Sequence, residues 1–594
     1  MLNSTILTSI SSSDSLLEYL SIAKEHSIEL GIGLLAALGA RFVYKTVKRA
    51  NAFSNLDGPA PTSFLWVDVI SQGDEALLYD FETSLKIHDE LLERYGPVCR
   101  IKGPLGEDRI WIADPRAMGD MVVKGFDDFH EVEGFVAWFA LTHGPTIITT
   151  TGHKHRIQRK ILNPVFTAAH MRNCESQCLT PSDYTDLPSL VTPTFNSITR
   201  YLEDIITSKV RESGGNTAII DIHHWMSNVA LEMIGQAGMG YSFGVMEGKE
   251  PEYLEASRQL FPLINEMWYI RSLLPTLMKI GPARFRRFVV DCIPFGPVNR
   301  LKNITDTMDE TAAEVYQQKK RALANGTLES EIAAGNDVMS MMLKQNEVVP
   351  PEDQMTEAEI QAQVNGLLFG GHDTTSAALA RTLHLLAQYP EAQDLLRAEV
   401  REAHGMYGKD LDYDQLNSLK YLDAVCRESL RLWSPAQLTE RIAAKDWSLP
   451  LRYPVKSKDG RTVISNLQIK KGTHLYLSLG SVNRDKQTWG DDADQFKPSR
   501  WLESLPNSVT ESKIPGVYSN TMTFLGGPRS CIGFKFSQLE MKVVLSSLVS
   551  SFKFDLGPEE PVWVAAGVAK PHARRDGVID PEPSLHMKVA LVDD

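Results

Sequence analysis

The chain has 594 residues, 43% hydrophobic and 23% charged, an ordinary globular composition with apolar material for a large core. A net charge of −14, with no basic tract and no finger spacing, excludes a nucleic-acid binder. Six cysteines (Cys99, Cys174, Cys178, Cys292, Cys426, Cys531) are too sparse for a disulfide scaffold in so long a chain, which excludes the small secreted classes and points to a reducing compartment.

From Ile28 to Tyr44 the chain is largely apolar, broken by Glu29 and Arg41. Its continuous run, Gly31 to Ala40, is shorter than the ~20 residues a spanning helix needs, and extension back through Leu16, Leu17, Leu20 and Ile22 would supply the rest. Lys45, Lys48 and Arg49 follow, so the positive-inside rule leaves 1–27 as a short lumenal N-terminus and the body in the cytosol. A cleaved signal peptide or a surface-lying amphipathic helix would use the same residues. No small-residue cleavage site stands out, which favours an uncleaved anchor over 28–44. Residues 45–62 read as a basic, Pro-rich linker stiffened by Gly58-Pro-Ala-Pro61, and 63–594 as the globular body.

Within the body, the apolar spacing predicts a helix near Leu85–Tyr95, then short strands at Val98–Lys102 and Arg109–Ala113 with a turn over Gly103 to Gly106. The pattern from about 196 to 445 is mainly helical, and Asp459-Gly460 marks a hairpin in a small β-region around 450–480. Thr356 and Glu359 form a capping box, so a helix starts there and runs to about Gln388, before Pro390. A final helix begins near Gly533 and puts Phe536, Leu539, Val543, Leu548 and Phe552 along one side. Residues 174–190 interrupt a helical stretch with two prolines and many small polar residues, a loop signal.

The loop Phe524-Leu-Gly-Gly-Pro-Arg-Ser-Cys531-Ile-Gly533 carries the chemistry. A helix beginning just after Cys531 offers free backbone N–H groups and a favourable dipole, which stabilise negative charge on sulfur. Gly526 and Gly527 permit a tight backbone, Gly533 permits close approach of a flat ring, Arg529 can pair with a carboxylate and Phe524 can cover the sulfur. A buried structural cysteine in a Gly-Pro turn would be the plainer account. Five fixed positions at about 1 in 20 over ~585 windows arise by chance on the order of 2 in 10,000 times, which makes that account a poor one. Elsewhere, Gly370-Gly371-His372-Asp373-Thr374-Thr375 sits inside the Thr356 helix, where two glycines cost about 1 kcal/mol each relative to alanine. The residues alone fit a helix break capped by Asp373 or Thr374 as well as a continuous, locally adapted helix.

Phe524-x-x-Gly527-x-Arg529-x-Cys531-x-Gly533 resembles the haem-binding signature of the cytochrome P450 family, and further segments match in order from about residue 58 onward. The resemblance implies a mainly α fold with small β-sheets, here preceded by an N-terminal membrane anchor helix. It also implies haem b (iron protoporphyrin IX) as cofactor, with Cys531 as the axial ligand to its iron. Gly370 to Thr375 then resembles the family's oxygen-binding kink, with Thr374 on the oxygen side of the haem and Asp373 relaying protons. Glu428-Ser-Leu-Arg431 and Phe496-Lys-Pro-Ser-Arg500-Trp resemble the buried structural trio Glu428, Arg431 and Arg500. Gly152-His-Lys-His155-Arg-Ile-Gln-Arg159 resembles the early propionate-contacting helix, with His155 where tryptophan is commonest. Arg441 matches the later propionate arginine.

The same resemblance implies a monooxygenase fed by a separate NADPH-cytochrome P450 reductase, with cytochrome b5 as a second donor, at the endoplasmic reticulum membrane. Lys154, Arg156, Lys160 and Lys535 would form a basic patch for the reductase, although a solvated helix face explains them nearly as well. Phe135, Trp138, Phe139, Leu368 and Phe369 fall where the family lines its pocket, and Trp268–Leu277 resembles a membrane-dipping access region. These apolar residues imply a lipophilic small-molecule substrate, terpenoid, fatty acyl or aromatic, and core packing explains them about as well. The closest style is that of fungal microsomal members, in detoxification or secondary metabolism. A reductase-independent hydroperoxide isomerase or peroxygenase, and a non-catalytic haem-binding sensor, are the competing readings. Family members also run directly from a Met-Arg helix into a Thr-Pro-x-Phe helix, and joining Met171-Arg-Asn173 to Val191-Thr-Pro-Thr-Phe195 restores that continuity. Residues 174–190 are thus expected to be an insertion or an unspliced intron.

Overall fold

The computed structural model describes residues 52–59, 78–80, 83–103, 106–172, 191–327, 337–518 and 520–592. The anchor assigned to 28–44 and the segment 174–190 lie outside them. Among the described residues no helix is long and apolar enough to cross a membrane.

The body is mainly helical with small sheets, and it is built around the capping box. Thr356 Oγ1 accepts from the Glu359 amide at 3.3 Å while the Glu359 carboxylate accepts from the Thr356 amide at 3.0 Å. These bonds start a helix of 32 residues, Glu357–Gln388, which at 1.5 Å per residue crosses about 48 Å of the molecule. Most of its residues are buried, because the helices Ile222–Met233, Gly296–Asn325 and Phe534–Ser551 all pack on it. The helix is unbroken at Gly370 and Gly371, so the break considered from sequence does not occur. Gly371 is needed for packing: a Cβ there would lie 2.8 Å from Ile234, in the π-helical turn Ile234–Met239.

A second, smaller core lies under a five-stranded sheet in the order Val98–Lys102, Asp108–Ile112, His474–Ser478, Leu438–Ala443, Phe129–His130. Only Asp108–Ile112 and His474–Ser478 run parallel. The linker stretch before it is docked on the body: Phe53 and Leu56 are buried, and the Arg100 amide donates to Asp57 O at 2.9 Å. Near the C-terminus, strands Val562–Ala566, Val568–Arg575 and Val578–Pro583 form an antiparallel sheet against the long helix. Trp563 and Trp433 sandwich the Arg381 guanidinium at 4.4 and 3.7 Å, a cation–π clamp between sheet and helix.

One surface stands apart. The helix Ala283–Asp291 buries none of its residues, and Leu273, Leu277, Ile280, Phe285, Phe288 and Val289 around it are all exposed.

Candidate active site

Strand Thr521–Gly526 leads into a one-turn 3₁₀ segment, Gly527–Arg529, and then through Cys531 to the helix Phe534–Ser551. Gly527 adopts φ 69°, and a Cβ there would fall 2.0 Å from Val122 O, so the turn admits only glycine. The Cys531 amide donates to Phe524 O at 2.9 Å, which closes the loop on itself. The sulfur opens onto an internal cavity, so it is accessible there even though it lies deep in the fold. Burial raises the thiol above its ordinary value, while the Gly533 amide and the Arg159 guanidinium pull it down. Both opposing influences favour the thiolate.

The cavity beside Cys531 measures about 320 Å³. The long helix contributes Gly366, Leu367, Gly370, Gly371, Thr374 and Thr375, a stripe with helical spacing. Thr374 Oγ1 donates to Gly370 O at 2.8 Å, four residues back on the cavity side. Asp373 is rotated off this stripe and does not line the cavity; its carboxylate contacts Lys570 Nζ at 2.5 Å. Consecutive helical residues are ~100° apart, so of these two adjacent residues only Thr374 lines the cavity.

At the opposite edge two guanidiniums converge on one carboxylate, and a third lines the same cavity. Arg529 and Arg441 lie 3.3 and 3.5 Å from Glu131, and Arg529 also donates to Ile147 O at 3.1 Å and Thr150 O at 2.6 Å. Arg159 donates to Ser530 O at 2.7 Å. His155 is buried beside them, and burial, with Arg529, Arg159 and Arg156 adding to it, lowers its pKa to about 3, so it is neutral. His155 Nδ1 and Arg529 Nε are buried without hydrogen-bond partners. Three guanidiniums and one carboxylate leave a charge of +2, which two propionates of a haem would cancel, and the two orphaned nitrogens would gain acceptors. Together with the Cys531 sulfur facing a slot walled by glycine and apolar side chains, the residues fit haem b.

The trio holds as expected in geometry. Arg431 makes a two-point contact with Glu428 at 2.8 and 2.9 Å, Arg500 approaches Glu428 at 3.3 Å, and Trp501 Nε1 donates to it at 2.9 Å. Glu428 and Arg431 are both fully buried, and neither lines the cavity beside Cys531.

A second space of about 420 Å³ continues from the first and shares Phe135, Thr374, Phe524 and Cys531 with it. Trp138, Phe139, Phe261 and Phe369 wall it, with Phe139 and Phe369 edge-on at 5.9 Å. Leu368 is not among its walls; it points into the helical core, a correction to the expected lining. The proposed basic patch is also depleted: Lys154 pairs with Glu359, and Arg156 binds Asp127 at 2.8 and 2.9 Å. Glu131 and Lys570 escaped the sequence reading, since neither stands in a motif and each gains its partner only through the tertiary fold.

A family profile described as cytochrome P450 matches residues 75–567. Cytochrome P450 monooxygenase 91 of Postia placenta is 39% identical over 540 residues, covering 90% of this chain and 94% of its own length. Ganoderic acid synthetase CYP5150L8 of Ganoderma lucidum is 39% identical over 502 residues, covering 83% and 87%. The P450 monooxygenase eriI of Hericium erinaceus is 32% identical, covering 90% and 94%.

Proposed function

The chain belongs to the cytochrome P450 family, oxygen-incorporating oxidoreductases that use haem b, and on that premise we propose that it oxygenates a bulky lipophilic natural product with electrons from a separate NADPH-cytochrome P450 reductase. One observation carries the reading: an aromatic-walled space of about 420 Å³ that opens directly onto Cys531 and Thr374. That volume suits a ligand of drug size, and its walls offer apolar contact with few polar groups to satisfy. The name of the Ganoderma relative, ganoderic acid synthetase, supports a terpenoid over a fatty acyl or simple aromatic compound.

The haem, when bound, supplies the oxygen-activating chemistry. In this reading Cys531 would be the residue that holds the haem iron, with the Gly533 amide and Arg159 favouring its thiolate against the effect of burial and Phe524 beside the sulfur. Arg159, Arg441, Arg529 and His155 hold the propionate edge. Thr374 presents its hydroxyl to the reacting side, Asp373 handles protons, and Glu428, Arg431 and Arg500 keep the loop in register. The exposed apolar residues from Leu273 to Val289, interleaved with Arg284, Arg286 and Arg287, support a membrane-resting body, consistent with an anchor at 28–44 in the endoplasmic reticulum. Lys160 and Lys535 are the remaining candidates for reductase or cytochrome b5 docking.

The test is a carbon-monoxide difference spectrum, followed by NADPH-dependent turnover of a triterpene panel with added reductase. A thiolate-type Soret band that Cys531→Ser abolishes, with reductase-dependent hydroxylation, is the expected result. Turnover supported by hydroperoxide alone would favour the isomerase or peroxygenase reading. A thiolate-type band without any turnover would favour a sensor.

A further inference from the structure

The aromatic-walled space is apolar along most of its surface, but one part of its wall is charged. Tyr79, Trp268, Arg271 and Glu440 line it there, and none of the four lines the cavity beside Cys531. The strand Leu438–Ala443 sets the direction of Glu440. Successive strand residues point to opposite faces, so Thr439 and Arg441 line the cavity beside Cys531 and Glu440 does not.

Arg271 follows the 3₁₀ turn Trp268–Ile270, and its Nη2 donates to Glu440 Oε1 at 2.5 Å across 169 positions of chain. The Tyr79 hydroxyl donates to the same oxygen. Aromatic faces hold the arginine in place: its guanidinium carbon lies 4.1 Å from the centre of the Trp268 ring and 6.0 Å from that of Tyr79. A Cβ on Gly134 would fall 2.9 Å from Arg271 Cγ, so the helix Glu133–His143 leaves a slot for this side chain.

Both donors fall on Oε1. Among the described residues no hydrogen bond reaches Oε2, although Glu440 borders the space. A staple that only tied the Trp268 turn to the sheet would engage both carboxylate oxygens, as Arg431 does with Glu428 at 2.9 and 2.8 Å. The charges then select among ligand groups. Arg271 and Glu440 cancel, so a ligand carboxylate or ammonium would leave one buried charge uncompensated. The group that fits is neutral, and it donates, because the open atom is an acceptor. A hydroxyl meets both conditions, whereas a ketone or an ether oxygen meets only the first.

We propose that Tyr79, Arg271 and Glu440 form a polar subsite that binds one hydroxyl group of the substrate. Arg271 and Tyr79 fix the carboxylate, and Glu440 Oε2 accepts the hydroxyl hydrogen. This rests on the reading of the space as the substrate site, and it narrows the substrate to a neutral, otherwise apolar alcohol. Anchored there, the alcohol presents a carbon away from its hydroxyl to Thr374 and Cys531. The three residues set which molecule binds and which carbon is presented, and they take no part in the chemistry.

The experiment titrates the full-length holoprotein with a monohydroxylated triterpene, the ketone made by oxidising that hydroxyl, and its methyl ether. Kd is read from the ligand-induced Soret shift. A hydrogen bond to a charged acceptor is worth ~10–100-fold in Kd, so the alcohol should bind more tightly than the ketone and the ether by that factor. Arg271→Met combined with Glu440→Met removes both charges and orphans neither. At an intact ferrous–CO spectrum this double variant should bind the three ligands equally. With added reductase it should also spread oxidation over several carbons where wild type attacks one. Equal affinity of wild type for the three ligands overturns the proposal, and this comparison needs no variant to fold. A double variant that keeps the wild-type preference for the alcohol overturns it too, as does a carboxylate analogue that binds wild type more tightly than the alcohol. No Soret shift with any of these ligands, at an intact ferrous–CO spectrum, overturns the lipophilic-substrate reading itself, and the subsite with it.

Discussion

Thr192 Oγ1 donates to Met171 O at 2.8 Å, although 21 positions separate the two residues in sequence. If 174–190 were absent, Thr192 would follow Met171 by four positions, and the same bond would be the ordinary back-bond of a helical threonine to the carbonyl one turn earlier. Only Arg172, which is extended, and Asn173 would then separate the helices Ala168–Met171 and Val191–Glu212. A chain lacking 174–190 is expected to give the same ferrous–CO spectrum and an undiminished Tm. Loss of cofactor binding in that variant would make the segment integral, and sequencing the transcript across the junction reads the intron question directly.

Gly370 and Gly371 are adjacent but have opposite surroundings. A Cβ on Gly371 would strike Ile234, whereas one on Gly370 meets no protein atom within 4 Å and projects into the cavity. Gly371→Ala is expected to cost ~1–3 kcal/mol by overpacking, read as a lowered denaturant midpoint. Gly370→Ala should leave the midpoint unchanged or slightly raised through helix propensity, yet alter the substrate-induced spectral shift. Equal effects of the two on stability would contradict this division.

Glu428 accepts from Arg431, Arg500, Trp501 and the Lys497 amide, all in the interior. Glu428→Gln leaves Arg431 buried without its counter-charge, a loss of roughly 3–5 kcal/mol in urea unfolding. Any fall in turnover should follow the folded fraction.

Trp111 Nε1 donates to His88 Nδ1 at 2.9 Å, which requires that nitrogen to be unprotonated. Burial, with help from the Arg484 charge, lowers the His88 pKa to about 3. The folded value lies below the unfolded one, so the stability from neutral His88 is complete above pH ~6.5 and is lost as pH falls, at about 1.4 kcal/mol per unit down to the folded value. His88→Gln should flatten the dependence of unfolding free energy on pH between 6.5 and 4 by one proton's worth. An unchanged slope would mean that His88 already carries a proton in the folded protein.

Elements whose signals are local were legible from sequence: the Thr356 capping box set the start of the long helix, Val98–Lys102 was bounded correctly, and Gly533 preceded the last helix. Capping, turn and periodicity rules act within a few residues, so one chain suffices to read them. The Cys531 loop was legible for the same reason, being one contiguous turn. What stayed hidden is what the fold brings together from afar. Arg529 finds Ile147 O 382 positions away, and nothing in the surroundings of Glu131 or Lys570 announces a carboxylate or ammonium waiting for a partner. Asp373 and Thr374 are adjacent in sequence, yet only Thr374 lines the cavity while Asp373 pairs with Lys570, a partner nearly 200 positions away.

The C-terminal strand that carries Lys570 also bears on the order in which the molecule is completed. Asp373 leaves the ribosome first and Lys570 roughly 200 residues later, a delay of ~10–40 s at ~5–20 residues per second. During that interval the most polar side of the long helix has neither its counter-charge nor the Trp563 lid over Arg381. The central helix thus gains its full cover only after the strands that carry Trp563 and Lys570 have been made.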